Sequence, residues 1–273
     1  MIPVGATSRV LAIVGDPVRH SLSPAMHNAA IAALGLDAVY VAIHADAAAV
    51  PHVIRAFEAV GVAGNVTVPH KVTAAQLLIR LTPLAKELGA VNTFWSEAGR
   101  LVGDNTDVAG VLDALDRLGS PGPWAVAGTG GAARAVAAAA RSRGVSLGVA
   151  SRDTARARDF VAWARDLGVD AFADDGRLLG TVINATPLGL KPEDAWPFPK
   201  ARLASSQAQA ALDLVYAPGE TRWVHECRKL GLRAADGRVM LVAQGAHAFE
   251  RFFPGCAAPL EIMAAAVDLA LRT

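Results

Sequence analysis

The hexapeptide Gly128-Thr129-Gly130-Gly131-Ala132-Ala133 fits the spacing G-x-G-x-x-[GA] and stands between a predicted strand and a predicted helix. Gly128 permits a tight turn, Gly130 lets the backbone come close to a pyrophosphate, and Ala133 keeps the helix near the strand. Amides at the helix start supply donors for that anion, so the loop points to a dinucleotide. A loop whose glycines only turn the chain is the competing reading. The next predicted strand ends at Ala150, and Ser151, Arg152 and Asp153 follow where an acid would grip the ribose hydroxyls of NAD. Arg152, with Arg156 one helical turn on, suits a 2′-phosphate through charge-assisted bonds and points instead to NADP. Asp153 either reaches a ribose diol or caps the helix beginning near Thr154, and capping is the preferred reading.

Four upstream segments carry polar residues in apolar surroundings: His20-Ser21-Leu22-Ser23-Pro24, Asn65-Val66-Thr67-Val68-Pro69-His70-Lys71, Ala90-Val91-Asn92-Thr93 and Gly103-Asp104-Asn105-Thr106-Asp107. Ser21 and Ser23 stand just before a proline-started helix, where both hydroxyls can donate to one carboxylate; ordinary capping by Ser23 is the alternative. Asn65, Thr67, Asn92 and Gln244 are neutral groups that both donate and accept, suited to a ring bearing several hydroxyls. Taken alone, Lys71 is a solvated surface lysine and Asp107 a helix cap. Placed side by side they could pass a proton to and from an alcohol.

The elements that must position these groups are short β-branched runs alternating with longer helical stretches, the pattern of βα units. Val10 to Val14, Val39 to Ile43 and Val62 to Val68 read as strands of one sheet, with helices around Pro24 to Leu34 and Ala47 to Val60. A second series runs through Trp124 to Ala127, Leu147 to Ala150, Thr181 to Asn184 and Ala211 to Leu214. Asp107 to Leu118 reads as a helix, and the run Gly119 to Pro123 as a passage between domains. The final helical stretches, Val239 to Phe252 and Leu260 to Leu271, add no strand and could pack back on the first domain. The expected organisation is a first domain of residues 1–106 and 239–273 and a second of 107–238.

Composition removes other classes. The 26 Lys and Arg balance 25 Asp and Glu, leaving no net field for a nucleic acid backbone or an anionic membrane. No apolar run approaches a membrane span, and the N-terminus lacks a basic leader, so a cytoplasmic location is expected. Cys227 and Cys256 lie far apart without metal-type spacing and read as two buried thiols.

Together and in this order, the polar segments and the glycine loop resemble the shikimate dehydrogenase family. The resemblance continues through Asn184-Ala185-Thr186-Pro187-Leu188-Gly189, Asp213-Leu214-Val215-Tyr216 and Gly237-Arg238-Val239-Met240 leading to Gln244, nearly the whole chain. It implies an α/β fold, an N-terminal substrate domain and a Rossmann-like dinucleotide domain with a cleft between them. It implies reversible reduction of 3-dehydroshikimate to shikimate by NADPH, with no metal. Lys71 and Asp107 become the catalytic pair and His70 a structural neighbour. Ser21 and Ser23 hold the substrate carboxylate, while Asn65, Thr67, Asn92, Tyr216 and Gln244 meet the rest of the substrate. The cofactor falls to Gly128, Thr129, Gly130, Gly131, Ala132, Ser151, Arg152, Arg156, Thr186 and Gly237. A small-molecule substrate is the expected partner, with the chain a monomer or a homodimer.

Some positions depart from the family pattern. Val108 stands where glycine is usual, Phe252 and Phe253 near an expected tryptophan, and Ser151-Arg152-Asp153 for a usual Asn-Arg-Thr. The last departure supports a rival, an NAD-preferring quinate/shikimate dehydrogenase. A non-catalytic metabolite-sensing homologue is a second rival, which the retained Lys71, Asp107 and glycine loop oppose.

Overall fold

The run Arg9–Gly15 forms β1, and its alternation sorts the core of the first unit into two layers. Leu11 and Ile13 join one apolar cluster with Met26, Ile31, Tyr40, Phe249, Phe252, Met263 and Val267. Ala12 and Val14 join another with Ile54, Phe57, Val66, Phe94 and Leu101. Successive strand side chains point to opposite faces, so a strand apolar on both faces must be covered on both. Each fully buried Ile or Phe in these layers contributes about 2 kcal/mol of transfer free energy.

In a computed structural model describing residues 4–189, 191 and 193–272, the chain divides into two compact units. Positions 1–3 and 273, the ends of the expected first domain, lie outside the described residues. One unit runs to Asp107 and resumes over Leu241–Leu271; the other covers Val108–Met240. After β1 the first unit continues with α1 (Ser23–Ala33), β2 (Ala38–His44), α2 (Val50–Val60), β3 (Ala63–Val66) and α3 (Lys71–Leu77). Then come β4 (Arg80–Leu81), α4 (Pro83–Leu88), β5 (Thr93–Glu97), β6 (Arg100–Asp104) and the start of α5 (Asp107–Leu118). The sheet order is β2-β1-β3-β5-β6-β4. Strands β1, β2 and β3 are parallel, whereas β5 runs antiparallel to both β3 and β6, so the sheet is mixed.

The second unit contains β7 (Trp124–Ala127), α6 (Gly131–Arg143), β8 (Leu147–Ala150), α7 (Thr154–Asp166), β9 (Ala171–Ala173) and β10 (Thr181–Asn184). It goes on through α8 (Lys200–Ser206), β11 (Ala210–Asp213), α9 (Arg222–Lys229), β12 (Arg233–Ala235) and the start of α10 (Arg238–Phe252); α11 (Leu260–Ala270) returns to the first unit. All its strands pair in parallel, in the order β12-β11-β10-β7-β8-β9. The first strand in sequence sits beside both the second and the fourth, the doubly wound order in which ligands meet the strand ends at the point of reversal. Ala133 and Ala135 to Ala140 on α6 are buried with Val136, because alanine lets a helix lie close to a sheet.

Several sequence expectations need correction. The predicted strand Val62 to Val68 stops at Val66, since the chain turns at once and His70 N donates to Thr67 O. The hairpin of β5 and β6 and the short β4 were not expected, and the second sheet gains β9 and β12 at its two edges. Cys227 is buried, but Cys256 is only half-buried. No described helix is long and apolar enough to cross a membrane.

Candidate functional site

At one end of the first sheet, the parallel β3 finishes where the antiparallel β5 begins and β6 ends. The register sets Asn65 opposite Thr93 and Thr93 opposite Asp104, so polar residues from three distant segments share one row. Lys71 is the first residue of α3 and Asp107 the first of α5, and their side chains meet, Nζ donating to Oδ2 at 2.7 Å. Those side chains are 14% and 4% exposed, unlike a surface pair, so their geometry is held by packing. Asn105 Oδ1, not Asp107, accepts at the helix start, from Asp107 N; Asp107 is free of the capping role that an isolated Asn-Thr-Asp would suggest.

Asn92 holds the other face of Asp107, its Nδ2 donating to Asp107 Oδ1 at 2.9 Å. Thr106 Oγ1 and Gln244 Oε1 lie 3.0 and 3.2 Å from the same nitrogen, so two hydrogens are shared among three oxygens. Asn92 Oδ1 accepts from Thr106 N at 2.8 Å. Asn65 Nδ2 donates to Asn92 O and to Thr93 Oγ1, tying β3 into the cluster. The structure therefore gathers Lys71, Asp107, Asn92, Gln244 and Asn65 into one network. His70 is buried, and its Nε2 lies 2.7 Å from Ala45 O. A carbonyl only accepts, so that nitrogen is a donor engaged with the backbone.

Ser23 is buried and starts α1 without capping it; Leu22 takes the N-cap position with no side-chain bond. Ser21 Oγ accepts from Ser23 N at 3.3 Å, which leaves the Ser21 hydroxyl proton to be donated elsewhere. Thr67 follows β3 and is half-buried, its Cγ2 so near Gly15 that a Cβ there would lie 2.3 Å away. Sequence reasoning missed Tyr40, and it noted Thr93, Asn105 and Thr106 within their segments without giving them a role. Tyr40 on β2 donates its hydroxyl proton to Asn65 Oδ1 at 2.6 Å and has the Ser23 hydroxyl as its other polar neighbour. Burial holds its phenol well above the usual range, so it stays protonated. In the sequence Tyr40 is one aromatic within an apolar strand, and nothing there distinguishes it from core.

The remaining predicted residues belong to the second unit. The glycine loop leaves β7, with Gly128 at φ +111° and a Cβ there only 2.9 Å from Ala185 O. Gly130 precedes α6, whose N-terminus carries no side-chain cap, and a Cβ on it would meet nothing within 4 Å. Ser151, Arg152 and Arg156 follow β8, and both arginines are exposed. Asp153 caps α7, its side chain accepting from Ala155 N and Arg156 N, while Arg156 Nε lies 3.4 Å from Asp153 Oδ2. The acid that favoured NAD is thus engaged with its own helix.

Thr186 is fixed by Asn184, whose Oδ1 accepts from its N and its Oγ1. Asn184 Nδ2 in turn donates to Asp213 Oδ1, which also accepts from Val215 N. Burial pushes the Asp213 carboxyl up to about 6, against the opposing pull of hydrogen bonds from Thr221, Val215 and Asn184. Tyr216 is half-buried on the segment after β11. Gly237 allows a close backbone approach, since a Cβ would fall 2.4 Å from Leu214 O. Cys227 is buried, its thiol pushed up to about 12, and is no nucleophile.

Two family models match: the shikimate dehydrogenase substrate binding domain over residues 13–94 and the shikimate 5′-dehydrogenase C-terminal domain over residues 237–267. The chain is 38% identical over 284 residues to a shikimate dehydrogenase (NADP(+)) of Symbiobacterium thermophilum, covering 97% of this chain and 95% of the relative. The crystal structure of shikimate 5-dehydrogenase from Thermus thermophilus in complex with NADP(H) and shikimate superposes with a TM-score of 0.86 at 38% identity, over 96% of this chain and all of that one. A quinate dehydrogenase from Corynebacterium glutamicum in complex with NAD gives 0.85 at 30% identity, over 97% and 99% of the two chains. By its sequence and its fold, this chain belongs to the shikimate dehydrogenase family.

Proposed function

We propose that this chain carries out the reversible reduction of 3-dehydroshikimate to shikimate with NADPH, as a step of aromatic amino acid biosynthesis, and that Lys71 handles the proton. The observation that carries the role of Lys71 is its 2.7 Å contact with Asp107, between two largely buried side chains at the end of a sheet lined with neutral amides and hydroxyls. The first unit takes the substrate and the second the cofactor. The chain acts in the cytoplasm as a monomer or homodimer.

The residues of the second unit fit NADP. The start of α6, without a side-chain cap, presents amides that have no partner within the helix, and Gly130 leaves open space where a side chain would stand. Gly128, Thr129, Gly131 and Ala132 would hold the pyrophosphate, and Ser151, Arg152 and Arg156 the 2′-phosphate. Thr186 and Gly237 complete the set. NADPH, when bound, supplies the hydride that reduces the ketone carbon.

The chain's own residues do the rest. Lys71 Nζ has three donors and Asp107 Oδ2 engages one, leaving others for the substrate oxygen. As that oxygen gains charge it takes a proton from Lys71 Nζ, which recovers one from solvent; oxidation reverses each move. Asp107 aims the lysine and is itself aimed by Asn92. Ser21 and Ser23 hold the carboxylate, and Asn65, Thr67, Asn92, Tyr216 and Gln244 meet the hydroxylated ring.

Initial rates with 3-dehydroshikimate or 3-dehydroquinate, each with NADPH or NADH, test substrate and cofactor together; the highest kcat/KM is expected for 3-dehydroshikimate with NADPH. Lys71→Ala should lose about two to four orders of magnitude in kcat while calorimetry still detects shikimate binding. Near-normal turnover in that variant overturns the role of Lys71.

A further inference from the structure

Tyr40 is buried at 1% exposure, its ring stacked on His27 with centroids 4.4 Å apart and tilted against Phe252, so the hydroxyl has one available position. That position is 2.6 Å from Asn65 Oδ1. The orientation of the Asn65 amide follows from its other neighbours. One amide atom lies 3.1 Å from Asn92 O, a backbone carbonyl that can only accept. The atom facing that carbonyl must therefore be Nδ2, the atom facing Tyr40 must be Oδ1, and Tyr40 must be the donor.

The inventory of Asn65 then closes. Its two Nδ2 hydrogens go to Asn92 O and Thr93 Oγ1, and one Oδ1 lone pair is taken by Tyr40. A single Oδ1 lone pair is left for a ligand. We propose that Tyr40 is a positioning residue that braces the oxygen of Asn65, an amide already turned by Asn92 O and Thr93 Oγ1, so that Asn65 accepts from a substrate hydroxyl that stays a hydroxyl throughout the reaction. The reacting oxygen alternates between carbonyl and alcohol, and a carbonyl has no proton to give. It belongs to Lys71, which can donate to either form. Asn65 and Lys71 thus divide the ring between an acceptor that selects and a donor that reacts. This inference rests on the proposed substrate and adds the direction of one recognition bond to it.

Tyr40→Phe keeps the stacked ring and removes only the hydroxyl. With its brace gone, the Asn65 oxygen should lose registry with the ligand: KM for shikimate is expected to rise about tenfold, with kcat and KM for NADP+ within about twofold of wild type. In the wild type, removing the hydroxyl that Asn65 reads, tested with 4-deoxy and 5-deoxy shikimate as inhibitors, should weaken binding about tenfold. In Tyr40→Phe the penalty should shrink for one of these analogues and persist for the other. Unchanged KM and unchanged penalties, or a loss confined to kcat, would overturn the proposal.

A second measurement needs no variant. Replacing the read hydroxyl by fluorine, which cannot donate, should cost the wild-type protein as much as replacing it by hydrogen; retained affinity of the fluoro compound refutes an accepting Asn65. A wild-type chain that fails to oxidise shikimate with NADP+ would instead overturn the substrate assignment, a separate outcome.

Discussion

Lowering the pH from neutral to near 5 should weaken the first unit by about 2 kcal/mol, and His27 is the reason. Its ring lies at 0% exposure between Tyr40 and Phe252, and neither ring nitrogen has a hydrogen-bond partner among the described residues. A charge there would be unsolvated, so burial pulls its pKa from 6.5 down to about 3. In the unfolded chain the same imidazole takes a proton below about 6.5. The sign follows from that difference. Above the unfolded value both states are neutral and nothing is lost. As pH falls from about 6.5 toward 3 the unfolded state alone gains a proton, and stability drains away. The full span, about 3.5 pKa units at 1.36 kcal/mol each, amounts to about 5 kcal/mol; the part reached by pH 5 is about 2 kcal/mol.

Hydrogen exchange read segment by segment measures this without requiring the chain to unfold in one step. Amides of α1 and β2 should lose protection between pH 7 and pH 5, after correction for the intrinsic rate, by a factor of about 30. His27→Leu should flatten that dependence whatever its effect on absolute stability, because no group at the position then titrates. A His27 resonance that titrates near 6.5 in the folded protein would refute the reasoning, as would an undiminished slope in the variant.

Asp213 predicts the opposite sign in the second unit. Its carboxyl is raised to about 6, chiefly by burial, so the folded state holds its proton more tightly, and stability is lost as pH rises from about 4 through 6. Acidification to near pH 5 should tighten β10 and β11 by about 1 kcal/mol while the first unit loosens. Asp213→Asn, which keeps an oxygen for Asn184 and Val215, should abolish that dependence in the same exchange experiment. In the β5–β6 hairpin, Ala98 and Gly99 both have positive φ, at +50° and +74°. The left-handed conformation costs alanine about 1 kcal/mol, so Ala98→Gly or Ala98→Asn should raise the urea midpoint of the first unit.

What the sequence made legible follows the strength of its punctuation. The strands β7, β8 and β10 and the helix α5 fall on the residues expected, since each apolar or periodic run is bounded by glycine, proline or a change of period. The β5–β6 hairpin was hidden because its turn is Ala98-Gly99 rather than the Asn-Gly or Asp-Gly that announces a two-residue turn. The three-residue edge strands β9 (Ala-Phe-Ala) and β12 (Arg-Ala-Ala) are too short and hold no β-branched residue to mark them as strands. Helix α4 could have been found: Thr82 caps it, Pro83 opens it and left-handed Gly89 closes it, all standard signals. Among polar groups, the repeated asparagines and threonines drew notice through their apolar neighbours. Tyr40 did not, because a lone hydroxyl in Ala38–His44 carries no pattern.

The dependence of the site on strand parity explains why so much rests on so small a residue. Asn65 pairs with Ile13, and Gly64 with Ala12, so Asn65 shares the face of β1 that carries Ile13, Leu11 and, across on β2, Tyr40. A slip of one residue would place Gly64 beneath the Tyr40 hydroxyl and drive the Asn65 amide among Ala12, Val14 and Phe94. Such a burial, with no partner for either amide atom, costs several hydrogen bonds. Gly64 also favours the native register from its own side. A Cβ there would lie 1.8 Å from Ala12 O, so the close approach of β3 to β1 exists only with glycine at that position. Tyr40 can brace Asn65 because Gly64 brings the strands together in one parity. The acceptor that Asn65 offers therefore depends also on Gly64, whose contribution is to let β3 approach Ala12 on β1.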